Sequence, residues 1–217
     1  MLTAALVAPV AAHAARTVTS PYVDKDALKL KWKSGYTHDD ESESKDGAVQ
    51  QQYAAEYGLM SWLSVEGELY GQNLGHDDNS DLTGFSVKPK FQFTPKGEYW
   101  LDSGMRLSYL KNFTSGPDSV EAKLLLGKDM EKFRHTANII LDHEVGDKSS
   151  GYTNIGFSWS SRYKLNPAFE PGFEYYGNVG HIRDRADFED QDHSIGPMFY
   201  GKLGEHFKYE AGYLVGI

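Results

Sequence analysis

Apolar and polar residues alternate along most of this chain, in short segments separated by polar loops. In the segment 28–33, for example, Leu28, Leu30 and Trp32 alternate with three lysines. Successive side chains of a β-strand point to opposite faces, so a period of two predicts a strand with one apolar and one polar face. From residue 27 onward the chain holds about eleven such segments with no helical interruption. The pattern predicts an all-β protein.

The connections between these segments alternate in length. A long acidic loop at 38–47 follows the first segment, whereas only Met60 and Ser61 follow the second. Further long loops are expected at 72–81, 112–119, 146–151 and 178–192, and tighter links at 94–97, 128–132, 166–167 and 204–205. Outer-membrane barrels have short turns at the periplasmic rim and longer loops at the extracellular rim. We therefore predict a transmembrane antiparallel up-and-down β-barrel in the outer membrane of a Gram-negative bacterium.

Aromatic side chains near both ends of the segments favour the same fold, since membrane barrels carry an aromatic girdle at each interface. The predicted girdle residues are Trp62, Tyr99, Trp100, Tyr163 and Phe207 near the short turns, and Tyr36, Tyr70 and Tyr152 near the loops. Single-chain bacterial barrels usually have an even number of strands. We therefore expect twelve strands, with the barrel at 27–217 and its last strand missing from this chain.

The first residues have the pattern of a targeting signal. Residues 1–14 are apolar and end in Ala12-His13-Ala14, which fits the small-residue motif of a signal-peptide cleavage site. No Lys or Arg precedes the apolar stretch, so we expect the true start to lie upstream of Met1. The alternative is a short amphipathic or buried helix. Residues 15–26 are interpreted as an N-terminal periplasmic extension.

Composition excludes some classes of function. The formal charge is −9, so nucleic acid is not an expected partner, because phosphate binding needs a clustered basic surface. Cysteine is absent, so no disulfide framework is expected. After the N-terminus no apolar run is long enough for a transmembrane helix, but barrel strands do not need one. The expected partners are outer-membrane lipid, lipopolysaccharide, the barrel-assembly machinery and a small polar solute.

The polar faces of the segments would line the barrel lumen, and they carry charges of both signs. The candidate lumen charges are Lys29, Lys31, Lys33, Lys88, Lys90, Arg106, Lys123, Glu66, Glu68, Glu121, Asp142, Glu144, Glu170, Glu174, Lys208 and Glu210, with Glu56 and Lys202 on the same faces. Two interpretations fit this set. One is a narrow passive channel for small polar or charged solutes. The other is a closed structural or surface-interaction barrel, in which the charges pair and fill the interior.

Catalytic or metal-binding chemistry is not expected. Enzymes that form covalent intermediates place a nucleophile beside a base, and His143 falls on the apolar side of its segment. The runs 76–78 and 190–193 contain ligand-type residues, but neither has zinc or EF-hand spacing. We therefore expect no enzyme activity, no cofactor and no metal site. An outer-membrane hydrolase is a disfavoured alternative, and a soluble periplasmic lipocalin-like barrel would instead bury Phe85, Phe91, Phe157 and Phe173.

The chain also resembles a family of uncharacterised proteobacterial outer-membrane β-barrel, porin-like proteins of unassigned function. The resemblance lies in the segments 28–36, 93–102, 121–126, 169–176, 188–193 and 208–213, and it spans nearly the whole chain after the signal. It implies a barrel with a further strand that ends in an aromatic residue, and it implies no particular chemistry. More loosely, the expected size is similar to that of twelve-stranded channels for small sugars, oligosaccharides or nucleosides.

Overall fold

The structure is a computed structural model in which all regular elements are β-strands. It describes residues 2–8, 17–38, 47–73, 81–183 and 191–217, with the backbone alone for 2–8. The strands are β1 (Leu2–Ala8), β2 (Leu28–Tyr36), β3 (Val49–Met60), β4 (Leu63–Asn73), β5 (Asp81–Gln92), β6 (Asp102–Asn112), β7 (Asp118–Asp129), β8 (Phe133–Val145), β9 (Thr153–Tyr163), β10 (Glu170–His181), β11 (Asp192–Leu203), β12 (Phe207–Tyr213) and β13 (Val215–Gly216).

Strands β2 to β12 form an antiparallel meander, in which each strand pairs with the next one along the chain. These eleven strands correspond to the eleven alternating segments, so the predicted all-β, up-and-down antiparallel sheet is confirmed. The meander curls through 307° into an open half-barrel. The backbone of β1 pairs in parallel with both β2 and β12. The cleavage motif of the predicted signal segment lies outside the described residues.

The two faces of the curled sheet have opposite chemistry, and the polar face is the concave one. Buried side chains include Glu56, Glu66, Glu68, Lys88 and Glu174, whereas the convex face exposes large apolar residues on every strand from β2 to β12 except β10. The strand register places polar residues beside polar ones and apolar beside apolar: Glu56 is paired with Glu66, and Tyr57 with Val65. Few apolar side chains of the described residues are buried. The alternation seen in the sequence therefore produces a polar interior and an apolar exterior.

The connections only partly follow the predicted alternation of length. The turn-side links at 61–62, 130–132, 164–169 and 204–206 are short, as expected. The link between β5 and β6 is longer than predicted, at 93–101, because the chain turns at Gly97 and β6 begins only at Asp102. The loop-side link between β6 and β7 is correspondingly short, at 113–117. Residues 39–46, 74–80 and 184–190 of the predicted long loops lie outside the described residues.

Candidate functional site

The interior of the curled sheet, called the lumen below, is lined on one side by ion pairs. The inward side chains of β2 to β7 form what we call the charged wall. Glu56 accepts a hydrogen bond from Lys31 at 2.7 Å, and its other carboxylate oxygen lies 2.7 Å from both Lys90 Nζ and the donating hydroxyl of Ser64. Lys31 also pairs with Glu66. Each of these groups is brought in by the period-two alternation of its strand.

A second set of contacts lies farther along the same wall. Glu68 is almost completely buried, pairs with Lys88 and accepts a hydrogen bond from the Tyr70 hydroxyl at 2.8 Å. Lys33 Nζ lies 3.9 Å from the other oxygen of Glu68. Lys88 is also 3.8 Å from Glu66, so this set is joined to the first one. The carboxylates on β3 and β4 thus hold lysines from β2 and β5.

The charged wall ends at β6 and β7 with Arg106, Glu121 and Lys123. Arg106 donates from Nη2 to Glu121 Oε1 at 3.1 Å, and Lys123 Nζ lies 3.6 Å from Glu121 Oε2. Lys31, Lys33, Lys88, Lys90, Arg106 and Lys123 therefore face four carboxylates on this wall. The wall carries more positive than negative charge.

The opposite side of the lumen is lined mainly by hydroxyl and amide groups. We call the inward side chains of β8 to β11 the hydroxyl wall; its buried members include Thr136, Asn138, Ser158, Ser160 and Ser194. Glu174 is the buried carboxylate of this wall among the described residues. It accepts hydrogen bonds from the hydroxyls of Tyr176 and Tyr200, each at 2.6 Å. Arg162 stacks on the Tyr200 ring, with its guanidinium carbon 3.5 Å from the ring centroid.

A cavity of about 440 Å³ lies between the two walls. Its lining includes Lys33, Arg106, Lys123, Asp142 and Asn154. The charged groups on its surface are the loop-side members of the charged wall, with Asp142 facing them from β8. The cavity can therefore offer a small solute both charged and neutral hydrogen-bonding groups.

The segment 17–27, called the lumen strap below, runs along the inside of the sheet. The amide of Asn138 pairs with the backbone of Thr19, since Thr19 N donates to Oδ1 and Nδ2 donates to the Thr19 carbonyl, both at 2.8 Å. The Thr19 hydroxyl accepts from Arg106 at 3.1 Å, and the Thr17 hydroxyl accepts from Lys33 at 2.6 Å. The strap therefore contacts both walls at the bottom of the cavity, where Thr17 is part of the lining.

Toward the short turns the strap is fitted closely against the wall. Pro21 is fully buried, and a Cβ added at Gly127 would lie 3.0 Å from the Pro21 Cγ. The Tyr22 hydroxyl donates to Asp102 at 2.8 Å, and burial, together with this hydrogen bond, raises the pKa of Tyr22. Val23 N donates to the Gln92 side chain at 2.8 Å. Val18 is buried beside Tyr176 and Leu214.

The strap joins β2 through a turn at residues 25–26. Asp26 has a φ of 58°, the left-handed region that Asp tolerates better than most residues. Asp26 N donates to the Gly58 carbonyl at 2.8 Å, and Gly58 N donates to the Ala27 carbonyl at 3.1 Å. Asp24 forms an ion pair with Lys29 at 2.8 Å, and this hydrogen-bonded contact holds the pKa of Asp24 below its usual range.

The remaining candidate lumen charges lie nearer the rims. Asp142 borders the cavity, whereas Glu144 accepts a hydrogen bond from Ser150 N at 3.0 Å in the loop after β8. Glu170 lies 3.9 Å from Arg134. Lys208 and Glu210 share the face of Tyr200 through strand pairing, but Lys208 is exposed. The structure therefore joins most candidates on β2 to β5 in one set of ion pairs and those on β6 and β7 in a second set around Glu121. Lys29 pairs with Asp24 instead, and the candidates on β8 to β12 are more dispersed.

Several features of the interior were missed or misplaced by the sequence interpretation. Tyr70 was predicted to belong to the loop-side aromatic girdle, which is wrong, because it points inward and contacts Glu68 and Ser86. Its position two residues after Glu68 carried the signal, since alternate residues share a face. Residues of the predicted periplasmic extension, from 17 onward, form the lumen strap. These residues show no period of two, so the sequence pattern did not predict that they lie inside the lumen.

The histidines considered in the sequence, His143 and His193, lie at separate places in the described part of the chain. His143 is exposed and contacts the Thr153 hydroxyl at 2.9 Å. His193 was expected in a loop, but it lies buried in β11, where the Tyr175 hydroxyl is 2.8 Å from its Nδ1. The run 76–78 lies outside the described residues, and the rest shows no cluster of three metal-ligand side chains.

Comparison with known proteins gives no family for this chain. None of the described residues forms a helix that is long and apolar enough to cross a membrane. No protein-family model, no curated protein and no solved structure matches the sequence or the fold. The polar lumen, its cavity and its strap are therefore the features from which a function has to be inferred.

Proposed function

We propose that this protein is an outer-membrane β-barrel whose lumen is a narrow passive channel for small polar or charged solutes. The observation that carries this proposal is the inverted distribution of side chains, with buried ion pairs inside and large apolar residues outside. Soluble monomers rarely expose contiguous apolar patches larger than a few hundred Å². An apolar exterior is the surface that a barrel needs in lipid.

The outward aromatic residues support a membrane location. Trp62, Tyr99 and Trp100 are exposed around the turn-side rim, and Tyr152 is exposed at the loop side. Tyr and Trp are enriched where a membrane meets water, because their rings combine an apolar body with a polar group. A soluble lipocalin-like barrel would instead need the phenylalanines of the strands inside, but Phe85 and Phe157 are exposed on the convex face.

The cavity and its charges support passage of a solute rather than storage of an apolar ligand. It is lined by charged groups of both signs from the charged wall, including Glu68 and Glu121, and by Asp142, with Asn154 among the uncharged groups. Rings of charged side chains in a pore select solutes by charge, and neutral polar groups replace their hydration. The class of solute that fits is therefore small, water-soluble and either charged or rich in hydroxyl groups.

A closed barrel with a structural or surface-interaction role is the second candidate. The observation that favours it is the filling of the turn-side part of the lumen by the strap and by the paired charges around Glu56. Small barrels are commonly filled by their own side chains. This candidate predicts a folded barrel without conductance.

Single-channel recording of the full chain, refolded and inserted in a planar bilayer, separates the two candidates. We expect discrete current steps whose ion selectivity depends on the lumen charges. Lys33→Gln should shift the selectivity toward cations and Asp142→Asn toward anions, because both residues line the cavity. Lys148→Gln, an exposed lysine in the loop after β8, serves as the control that leaves selectivity unchanged.

The absence of steps from a correctly folded sample would overturn the channel and leave the closed barrel. Folding is verified separately by heat-modifiable migration in detergent gels. Location is tested on cells: release by osmotic shock would contradict the membrane proposal, whereas extraction only with detergent is the expected result.

A further inference from the structure

We propose that the lumen strap is a hinged plug, which closes the turn-side end of the lumen and opens it by swinging about the turn at residues 25–26. This inference rests on the proposed channel, because a plug matters only where solute passes. The strap continues into β2 at one end, and at the other end it follows β1, which pairs with β2 and β12. The swing therefore belongs to the mature chain, from which the predicted signal segment, residues 1–14, has been removed, and it would unfold no strand of the meander.

The wall is shaped to receive the strap. Pro21 lies where β6 and β7 both have glycine, and a Cβ at Gly104 or Gly127 would come within 3.2 Å of its ring. A Cβ at Gly58 would come within 2.0 Å of the Asp24 carbonyl oxygen. Glycine allows this close approach because it lacks a side chain. Glycines on three strands therefore leave room for the strap at two of its residues, Pro21 and Asp24.

The strap also fills the lumen from one wall to the other. Asn138 on the hydroxyl wall holds the Thr19 backbone, and Arg106 on the charged wall donates to the Thr19 hydroxyl from the other side. Lys33 donates to Thr17 at the bottom of the cavity. Solute entering from the loop side would therefore meet the strap before it reached the short turns.

The contacts of the strap divide it into a fixed end and a releasable end. At the fixed end, Asp26 and Ala27 exchange backbone hydrogen bonds with Gly58 and continue the pairing of β2 with β3. Between Thr17 and Val23, the hydrogen bonds that attach the strap involve side chains of the wall. Its buried apolar contacts are limited to residues such as Val18 and Pro21. The left-handed turn at Asp26 is the natural hinge between these two parts.

A disulfide can lock the strap, and the chain contains no cysteine that would interfere. In the mature Pro21→Cys/Gly127→Cys protein the two Cβ atoms lie no farther apart than a disulfide allows, because Pro21 Cγ, one bond away from Cβ, is 3.0 Å from the Cβ position at residue 127. We expect the oxidised double variant to show no full openings, and reduction should restore the current of the unsubstituted protein. Each single variant is the control, and neither should respond to reductant.

Movement of the strap is measured independently of current by labelling the thiol of Pro21→Cys with a small charged maleimide. Adding Asn138→Ala removes two hydrogen bonds to Thr19 and should raise the labelling rate about tenfold. The matched control is Ser160→Ala on the same wall, whose hydroxyl makes no hydrogen bond within the described residues. It should leave the labelling rate unchanged.

The outcomes separate the plug from the channel. Equal currents from the oxidised and reduced double variant would overturn the plug while leaving the channel intact. Complete absence of current in every variant would overturn the channel, and the labelling rates would then decide whether the strap moves at all. Labelling that is equally slow with Asn138→Ala and without it would show a fixed strap and overturn the hinge.

Discussion

Glu56 shows how a buried charge is stabilised in a protein whose interior is polar. The residue is 4 % exposed, and its carboxylate is held by Lys31, Lys90 and the Ser64 hydroxyl. A buried carboxylate is tolerated when opposite charges and hydrogen bonds replace the water it has lost. These three groups lie on β2, β5 and β4, so the Glu56 side chain on β3 connects three other strands.

Replacing this single charge should therefore be costly. Glu56→Gln removes the carboxylate that Lys90 pairs with and one of the two that Lys31 pairs with. We expect the free energy of unfolding to fall by about 3–5 kcal/mol, the usual effect of breaking a buried ion pair from one side. Urea titration of the lipid-refolded protein measures the change. Glu98→Gln, in the exposed link between β5 and β6, is the matched control and should change stability little. Equal midpoints for the two variants would contradict the role given to Glu56.

At the residue level, the face of a strand side chain was predictable and its partner was not. The alternation around Lys31, Glu66 and Lys88 places all three inside, as the structure has them. Which carboxylate meets which lysine depends on the register between strands. The lengths of the short links could not be predicted precisely enough from the sequence to fix that register. Tyr70 was misplaced because its closeness to a loop was given more weight than its parity with Glu68.

At the level of elements, the strands were predictable and the strap was not. A strand of this sheet repeats its chemistry every two residues, so it leaves a trace in the sequence. The strap has no such trace, because each of its contacts is different: a side-chain amide at Thr19, two glycines at Pro21, a carboxylate at Tyr22. Its position is set by the finished lumen and is visible only in three dimensions.

The attachment of the strap should weaken in acid. The pKa of Asp24 is lowered by its hydrogen bond with Lys29, so the ion pair stabilises the folded strap above the ordinary aspartate pKa of about 3.9. This stabilisation is lost as the pH falls through the lowered pKa of the folded protein. Because the thiolate is the reactive form, the labelling rate of Pro21→Cys is divided by that of the exposed reference Lys148→Cys at the same pH. We expect this ratio to rise in that range, and not to rise when Asp24→Asn is added. A ratio that does not change with acidity would argue against this anchor.

On the scale of the whole molecule, the apolar exterior predicts that the cost of a charge on the convex face depends on whether lipid or water surrounds the barrel. Leu124 lies in the middle of β7 and is exposed on the convex face, and Met130 is exposed in the turn after it. Arginine at the midplane of a bilayer costs a barrel about 2–4 kcal/mol, and near the interface only about 0–1 kcal/mol. We therefore expect Leu124→Arg to destabilise the lipid-inserted protein far more than Met130→Arg does.

The same pair of variants tests the membrane location itself. On a water-facing surface, both substitutions would place a charge in solvent, and their costs would be similarly small. Reversible urea unfolding from lipid vesicles gives the comparison. Similar unfolding free energies for the two variants would count against a lipid-facing exterior.

The strict alternation of the strands also limits how this chain can change its length. Removing one residue from the middle of a strand reverses the direction of every side chain between the deletion and the next turn, so that lysines replace leucines on the outside. Removing two adjacent residues, such as Lys123 and Leu124, shortens the strand but leaves each remaining side chain on its own face. Within the strands, the insertions and deletions that are tolerated should therefore contain an even number of residues, whereas the connecting loops can change by any number of residues.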